Sequence, residues 1–212
     1  MHPRLASWAR AVKARHRSRW PAVWLFTDPA RMPDVVATVR ALPPGCGVVF
    51  RHDGVPGRAT LAQHVARACR AGRLVMVMTA PALPGVGLHL RRGYRSGAMP
   101  RLVTSSSHNR LEVLRAKRAG AAVVFVSPLF PTRSHPDGTA LGGVRWRNAG
   151  AGVGGVFALG GVDAETVRAV PRCAMGFGAI GALTACGSHA TVFRNCHGTA
   201  VVAVAEPAAT RQ

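Results

Sequence analysis

Short apolar runs alternate with amphipathic stretches along most of the chain, and this alternation limits the possible folds more than any other feature. Eight such runs predict β-strands, at 22–26, 48–50, 74–78, 86–90, 102–104, 122–126, 155–159 and 173–177. Most are apolar at nearly every position, which is typical of parallel strands buried on both faces. Eight parallel strands in a chain of 212 residues predict a single-domain α/β fold, the (β/α)8 TIM barrel. An open nucleotide-binding sheet is the structural alternative, but Thr27-Asp28-Pro29-Ala30 stands where its glycine-rich loop would follow the first strand.

Helical spacing is visible between several of these strands. It is clearest in three segments, 33–41, 61–68 and 111–119. Asp163 predicts a cap for a helix over 164–170, and a short apolar helix is expected from Ile180. The sequence shows no clear helical spacing for the third, fourth and sixth helices of the barrel.

The regular pattern also predicts the domain organisation. We expect the barrel over 21–186, a basic extension over 1–20 that would add a helix across the bottom of the barrel, and a tail of unknown structure over 187–212. No apolar run reaches the roughly 18–20 residues that a membrane span needs. The basic N-terminus also lacks the apolar segment of a secretory signal. We therefore expect a cytoplasmic protein with no membrane partner.

The net charge of +20 indicates anionic partners. The arginines are dispersed, with a dense basic run only at 10–19, and neither aromatic interleaving nor zinc-finger spacing accompanies them. An anionic small-molecule substrate explains the charge equally well, so we do not favour nucleic-acid binding. The five cysteines are dispersed without a CxxC pair, and no metal site is predicted. Assembly into a homo-oligomer is left open.

Glycines and hydroxyls near the predicted strand ends indicate a phosphate site. Gly160-Gly161 would end the seventh strand, and Gly176 and Gly178 would end the eighth. The loops after these two strands are the usual phosphate site of TIM barrels. A role only in tight turns is the alternative for these glycines.

The long loop 127–141 adds hydroxyls and cations to the same region. Thr132 and Ser134 can donate hydrogen bonds to phosphate oxygens, and Arg133 or His135 can supply positive charge. A loop of this length usually has a function, although a plain proline-rich connection remains the alternative.

Four histidines lie at or near predicted strand ends, namely His52, His89, His108 and His135. Histidine is the side chain best suited to move protons near neutral pH. Because functional residues collect at the carboxyl ends of barrel strands, we expect these four to converge on one mouth.

Six segments resemble, in order and spacing, the motifs of the thiamine phosphate synthase/TenI family. They are 24–28, 48–51, 104–109, 126–136 with 141–142, 157–162 and 176–182. The most specific parts are the loop Phe130-Pro131-Thr132-Arg133-Ser134 and the double glycine Gly160-Gly161. The family's synthase is a (β/α)8 barrel that joins a pyrimidine diphosphate to a thiazole phosphate, using Mg²⁺. Its TenI relatives are thiazole tautomerases.

The resemblance implies roles for several residues. Thr132, Ser134, Gly161 and Gly178 would contact phosphate, and Arg51 would face the diphosphate of the pyrimidine. Ser106 and His108 lie in the "S-x-H" motif, which carries the essential histidine of the tautomerases.

Other positions depart from the synthase pattern. Asp53 stands where the synthase has lysine, and His135 replaces the lysine of the loop. Thr79-Ala80 and Tyr94 stand where the synthase has the aspartates that bind Mg²⁺. Mg²⁺ requires oxygen ligands such as carboxylates, so no metal or other cofactor is expected unless the chain is a synthase.

These departures favour metal-independent thiazole tautomerisation with His108 as the acid and base. Thiamine phosphate synthesis with release of pyrophosphate is the close alternative, because the phosphate loop is intact. A barrel that binds a phosphorylated ligand without catalysis is the alternative of another class. In each case the partner is a phosphorylated thiazole or pyrimidine.

Overall fold

The computed structural model describes residues 1–91, 100–132 and 139–184 of the chain. Within them, eight strands form a closed barrel in which each strand pairs in parallel with the next and β8 pairs with β1. The strands are β1 (Val23–Phe26), β2 (Gly47–Phe50), β3 (Val75–Met78), β4 (Gly87–Arg91), β5 (Val103–Ser107), β6 (Val123–Val126), β7 (Val156–Leu159) and β8 (Phe177–Ala179). The predicted (β/α)8 barrel is confirmed.

Among the described residues, five α-helices accompany the strands. They are α1 (Pro3–His16), α2 (Val35–Arg40), α3 (Arg58–Ala71), α4 (Arg110–Arg118) and α5 (Gly142–Gly150). The helix expected over 164–170 is only a 3-10 turn at Thr166–Ala169, although Asp163 does accept hydrogen bonds from the amides that begin it. The helix expected from Ile180 is a 3-10 turn at Gly181–Leu183. In the described part of the chain, no helix has the length and apolar character to cross a membrane.

Alternation along the strands divides the core into two clusters. One fills the inside of the barrel, and its fully buried rings include Trp24, Phe26, Phe125 and Phe157. The other lies between the strands and the surrounding helices. Because successive strand side chains point to opposite faces, this division identifies which residues after each strand face into the barrel.

The last strand begins later than the sequence indicates. The predicted strand 173–177 is wrong, since β8 begins at Phe177. Gly176 therefore precedes β8 at the bottom of the barrel, where a Cβ atom would collide with Phe157 and with the carbonyl oxygen of Ala22. Gly178 lies inside the strand, and its missing side chain leaves room for the Phe26 ring. Neither glycine ends the strand, and close packing requires the absence of a side chain at both positions. Their contact with a phosphate stays a prediction.

The basic segment 1–20 contains α1, a helix that packs against β8. Leu5 and Val12 of α1 are buried, and Trp8 meets Phe177 edge-on with ring centroids 5.4 Å apart. Phe177 belongs to the cluster outside the strands, so α1 covers the outer face of β8. Trp20 instead packs against the interior cluster. The predicted tail over 187–212 lies outside the described residues.

Candidate functional site at the barrel mouth

His108 lies at the rim of the barrel, directly after β5. Its backbone N–H donates to Glu112 Oε2 at 2.8 Å, and Asn109 caps α4 by accepting from the Glu112 amide at 3.0 Å. Its Nδ1 lies 3.0 Å from the carbonyl oxygen of Ser127 at the end of β6. The Ser127 hydroxyl lies farther from the same nitrogen, at 3.4 Å. Because the nearer carbonyl oxygen can only accept, the tautomer that forms this hydrogen bond has its proton on Nδ1 and a lone pair on Nε2. The side chain is exposed, and it is therefore oriented without being enclosed.

Polar side chains also lie on the inward face of β5, next to His108 and inside the barrel. His89 of β4 is 3% exposed, with Nδ1 2.7 Å from Thr104 Oγ1 and Nε2 3.0 Å from Ser106 Oγ. The imidazole also meets the Phe26 ring edge-on at 5.6 Å. Ser106 is partly buried and stands two residues before His108 on the same strand face. Three of the predicted residues, His89, Ser106 and His108, therefore lie along one edge of the mouth.

Arg51 faces the mouth from the opposite part of the barrel. It follows β2, and its side chain continues the inward alternation of Gly47 and Val49. Its guanidinium carbon lies 5.2 Å from the centroid of the Phe26 ring, a cation–π distance. Its backbone N–H donates to Thr27 Oγ1 at 2.9 Å. Arg51 thus brings a partly buried positive charge to the mouth.

His52 points away from the mouth, which corrects the expected convergence of histidines. Its ring is stacked on Phe50 at 4.7 Å, and its Nδ1 lies 3.0 Å from Thr27 Oγ1. Burial lowers the pKa of His52, and this effect is partly opposed by Asp28 and Asp53. Alternation explains the result, because Arg51 faces inward and its neighbour must face outward. His135 lies outside the described residues.

Residues near the ends of β2 and β3 do not form a site for Mg²⁺. Asp53 forms an ion pair with Arg58 at 3.4 Å and accepts the hydroxyl of Thr79 at 2.5 Å. Thr79 and Ala80 contribute no carboxylate, and the described ranges contain no group of three histidine, cysteine or acidic residues arranged to hold a metal. Mg²⁺ prefers several carboxylate or carbonyl oxygens around it. The described donor set therefore does not fit the metal that the synthase reaction uses.

The loop after β6 runs beside the double glycine. Leu129 N–H donates to the Leu159 carbonyl at 2.8 Å, and Phe130 N–H donates to the Gly160 carbonyl at 3.1 Å. Gly160 and Gly161 have φ values of +90° and +67°, and a Cβ atom on Gly161 would lie 2.7 Å from Phe130 Cβ. Close approach of the loop and positive φ thus require both glycines. This contact brings Thr132 towards Gly161, whereas Ser134 lies outside the described residues.

Three partners in the site were not predicted from the sequence. They are Glu112 and Ser127, which orient His108, and Thr104, which contacts His89. The pattern Asn109-x-x-Glu112 is a capping-box signal that could have identified Glu112. The contact of Ser127 with His108 could be identified only from the structure, because the pairing of β5 with β6 brings the ends of these two strands together.

Comparison with known proteins identifies the family. The family model described as thiamine monophosphate synthase matches residues 94–202, which is just over half of the chain. The chain therefore belongs to the thiamine monophosphate synthase/TenI family of (β/α)8 barrels. No curated protein sequence matches it.

One solved structure shares the fold of this chain, and a second aligns less well. The thiamine phosphate pyrophosphorylase of Pyrococcus furiosus superimposes with a TM-score of 0.61 and 21% identity, over 74% of this chain and 84% of that one. A structure described as native KDPGal aligns with a TM-score of 0.48 and 16% identity, over 76% of this chain and 83% of that one. At these identities the likeness concerns the barrel and not the reaction.

Proposed function

We propose that the chain is a metal-independent thiazole tautomerase in which His108 carries the proton. The observation that carries the proposal is the hydrogen bond from His108 Nδ1 to the Ser127 carbonyl, at 3.0 Å. It fixes the tautomer whose Nε2 can accept a proton, and it stabilises the imidazolium that results. A general base needs this combination of orientation and a free lone pair.

The step requires no redox partner and has no leaving group. Nε2 of His108 removes a proton from one position of the thiazole ring system, and the resulting imidazolium returns a proton at another position. The electron pair of the broken C–H bond enters the π system, and the π pair of a C=C bond at the second position forms the new C–H bond with the returned proton, which gives the aromatic isomer. The proton transfer therefore needs no metal, and the described residues of the mouth are not suited to bind Mg²⁺.

The mouth also suits a planar ring that carries a phosphate. Leu159 and Ile180 are partly buried and pack against the interior cluster, so they offer an apolar wall on the side of β7 and β8. Thr132 and the Gly160-Gly161 turn lie on this side, where we propose that the phosphate binds. Ser106 and His108 then face the ring from the opposite side.

The coupling of a pyrimidine diphosphate to a thiazole phosphate is the second candidate. Arg51 at the mouth favours it, since a cation there can also face a diphosphate. Two parallel assays on the purified chain separate the candidates. One supplies the thiazole carboxylate phosphate tautomer alone, and the other supplies both coupling substrates, each with Mg²⁺ and with a chelator.

Isomerisation that persists with the chelator is the expected result. Mg²⁺-dependent formation of thiamine phosphate without isomerisation would overturn the proposal in favour of the synthase. Ligand binding without either reaction would favour the non-catalytic alternative.

A further inference from the structure

The connection between β3 and β4 contains no helix and leaves a groove on the outer surface of the barrel. A TIM barrel has an α-helix after each strand, but residues 79–86 form only bends and a turn. Leu83 and Val86 of this connection pack against the outer core cluster and remain partly exposed. A groove of about 300 Å³ lies between the connection and α3.

This groove has one apolar wall and one basic wall. The connection contributes Leu83, Pro84 and Val86, whereas α3 contributes Arg67 and Arg70. The two arginines are exposed and lie three positions apart, so they share one face of the helix. Within the residues that the structure describes, neither guanidinium forms a hydrogen bond or an ion pair. Their charge is therefore available to a partner.

Both walls are held in place before anything binds. Arg58 at the start of α3 donates to the carbonyl oxygen of Thr79 at 2.6 Å and to that of Pro81 at 3.0 Å. Within the connection, the Val86 N–H donates to the Leu83 carbonyl at 3.1 Å. A groove that is already formed loses less conformational freedom when a partner binds.

The basic surface continues on the other side of α3. A cavity of about 700 Å³ lies between α2 and α3, and Arg40, His64 and Arg67 line it beside Val36 and Ala68. Arg67 thus borders both depressions. A small molecule is usually enclosed by a single pocket, so a surface that extends across α3 is better matched by a protein partner.

We propose that the groove binds an acidic amphipathic helix of another protein, which takes the position that a barrel helix would occupy after β3. The apolar stripe of the partner helix packs on Leu83 and Val86, as in other helix-in-groove complexes. Its carboxylates pair with Arg67 and Arg70, since guanidinium and carboxylate form strong charged hydrogen bonds. This inference concerns the outer surface and does not depend on the reaction at the mouth.

The chain itself does not supply such a helix. Eight of its 212 residues are acidic, and its net charge is +20, so two copies repel each other. Glu112 of α4 is the one acidic residue within the helices that the structure describes. The segment 187–212 has a single acidic residue, Glu206. Charge complementarity therefore favours a different, acidic protein.

Fluorescence anisotropy with three labelled probes tests the proposal. The first probe is a synthetic peptide, held helical by a hydrocarbon staple, with leucines along one face and glutamates on both sides of them. The second has the same composition but its leucines are distributed around the helix, and the third is a single-stranded oligothymidylate. The proteins are the wild type, Leu83→Ala, the double variant Arg67→Gln/Arg70→Gln and the control Arg115→Gln/Arg118→Gln, whose exposed arginines have the same spacing on α4.

The wild type is expected to bind the first peptide about 10-fold more tightly than the second, because only the first has a continuous apolar face. Arg67→Gln/Arg70→Gln should weaken this binding about 5- to 20-fold and the α4 control by about 2-fold or less. Leu83→Ala should weaken it about 3- to 10-fold through lost apolar burial.

Three results would overturn the proposal. Equal affinity for the two peptides, or equal losses in the two arginine variants, would show attraction by net charge alone. Tighter binding of the oligothymidylate than of the first peptide, dependent on Arg67 and Arg70, would indicate a nucleic-acid surface. A wild-type dimer in analytical ultracentrifugation that Leu83→Ala dissociates would show that a second copy of the chain occupies the groove.

Discussion

The Nδ1 atom of His108 lies 3.0 Å from the carbonyl oxygen of Ser127, so the ends of β5 and β6 jointly orient the imidazole at the barrel rim. The contact requires a protonated Nδ1. Because Glu112 also holds the backbone N–H of His108 at 2.8 Å, the residue is fixed from two sides. A preorganised base of this kind avoids the cost of ordering a side chain during the reaction.

The hydrogen bonds of His89 predict a measurable loss of stability when they are removed. His89→Leu leaves the hydroxyls of Thr104 and Ser106 inside the barrel without their imidazole partner. We expect the free energy of unfolding to fall by about 1–3 kcal/mol, measured by urea denaturation. The matched control is His64→Leu on α3, where the side chain is exposed and a change within about 0.5 kcal/mol is expected. Equal effects in both variants would contradict this role of His89.

The glycine that precedes β8 predicts a second stability effect. In Gly176→Ala the new methyl group would collide with Phe157 and the Ala22 carbonyl oxygen. Overpacking of this kind costs about 1–3 kcal/mol, which thermal unfolding would detect. Gly154→Ala is the control, because no atom lies within 4 Å of its added Cβ. A Gly176→Ala variant as stable as the wild type would show that the bottom of the barrel is not tightly packed.

Burial of His52 predicts a pH-dependent stability. The pKa of His52 is lowered from 6.5 by burial, so the folded chain binds this proton less readily than the unfolded chain. Stability is then complete above pH 6.5 and decreases as the pH falls below it. Urea denaturation at a series of pH values should show this decrease, and His52→Gln should reduce it. The same pH dependence in the variant and the wild type would contradict the prediction.

The sequence was sufficient to predict the barrel, because five strands (β1, β2, β3, β6 and β7) are continuous apolar runs that local composition reveals. It failed at β8, where Gly178 and Ala179 have little strand propensity and Gly178 leaves room for the Phe26 ring. The orientation of Arg51 and His52 could have been predicted from alternation after Val49. By contrast, the contacts of His108 with Ser127 and of His89 with Thr104 depend on the pairing of distant strands, which a single sequence does not specify.

The most direct test of the account measures isomerisation by His108→Ala together with ligand affinity. We expect turnover to fall about 10²- to 10⁴-fold, the usual contribution of a general acid–base group, while the affinity for the aromatic thiazole carboxylate phosphate is largely retained. His64→Ala, which removes an exposed histidine of α3, should keep wild-type turnover. Wild-type turnover by His108→Ala would contradict the central claim, because another group would then carry the proton.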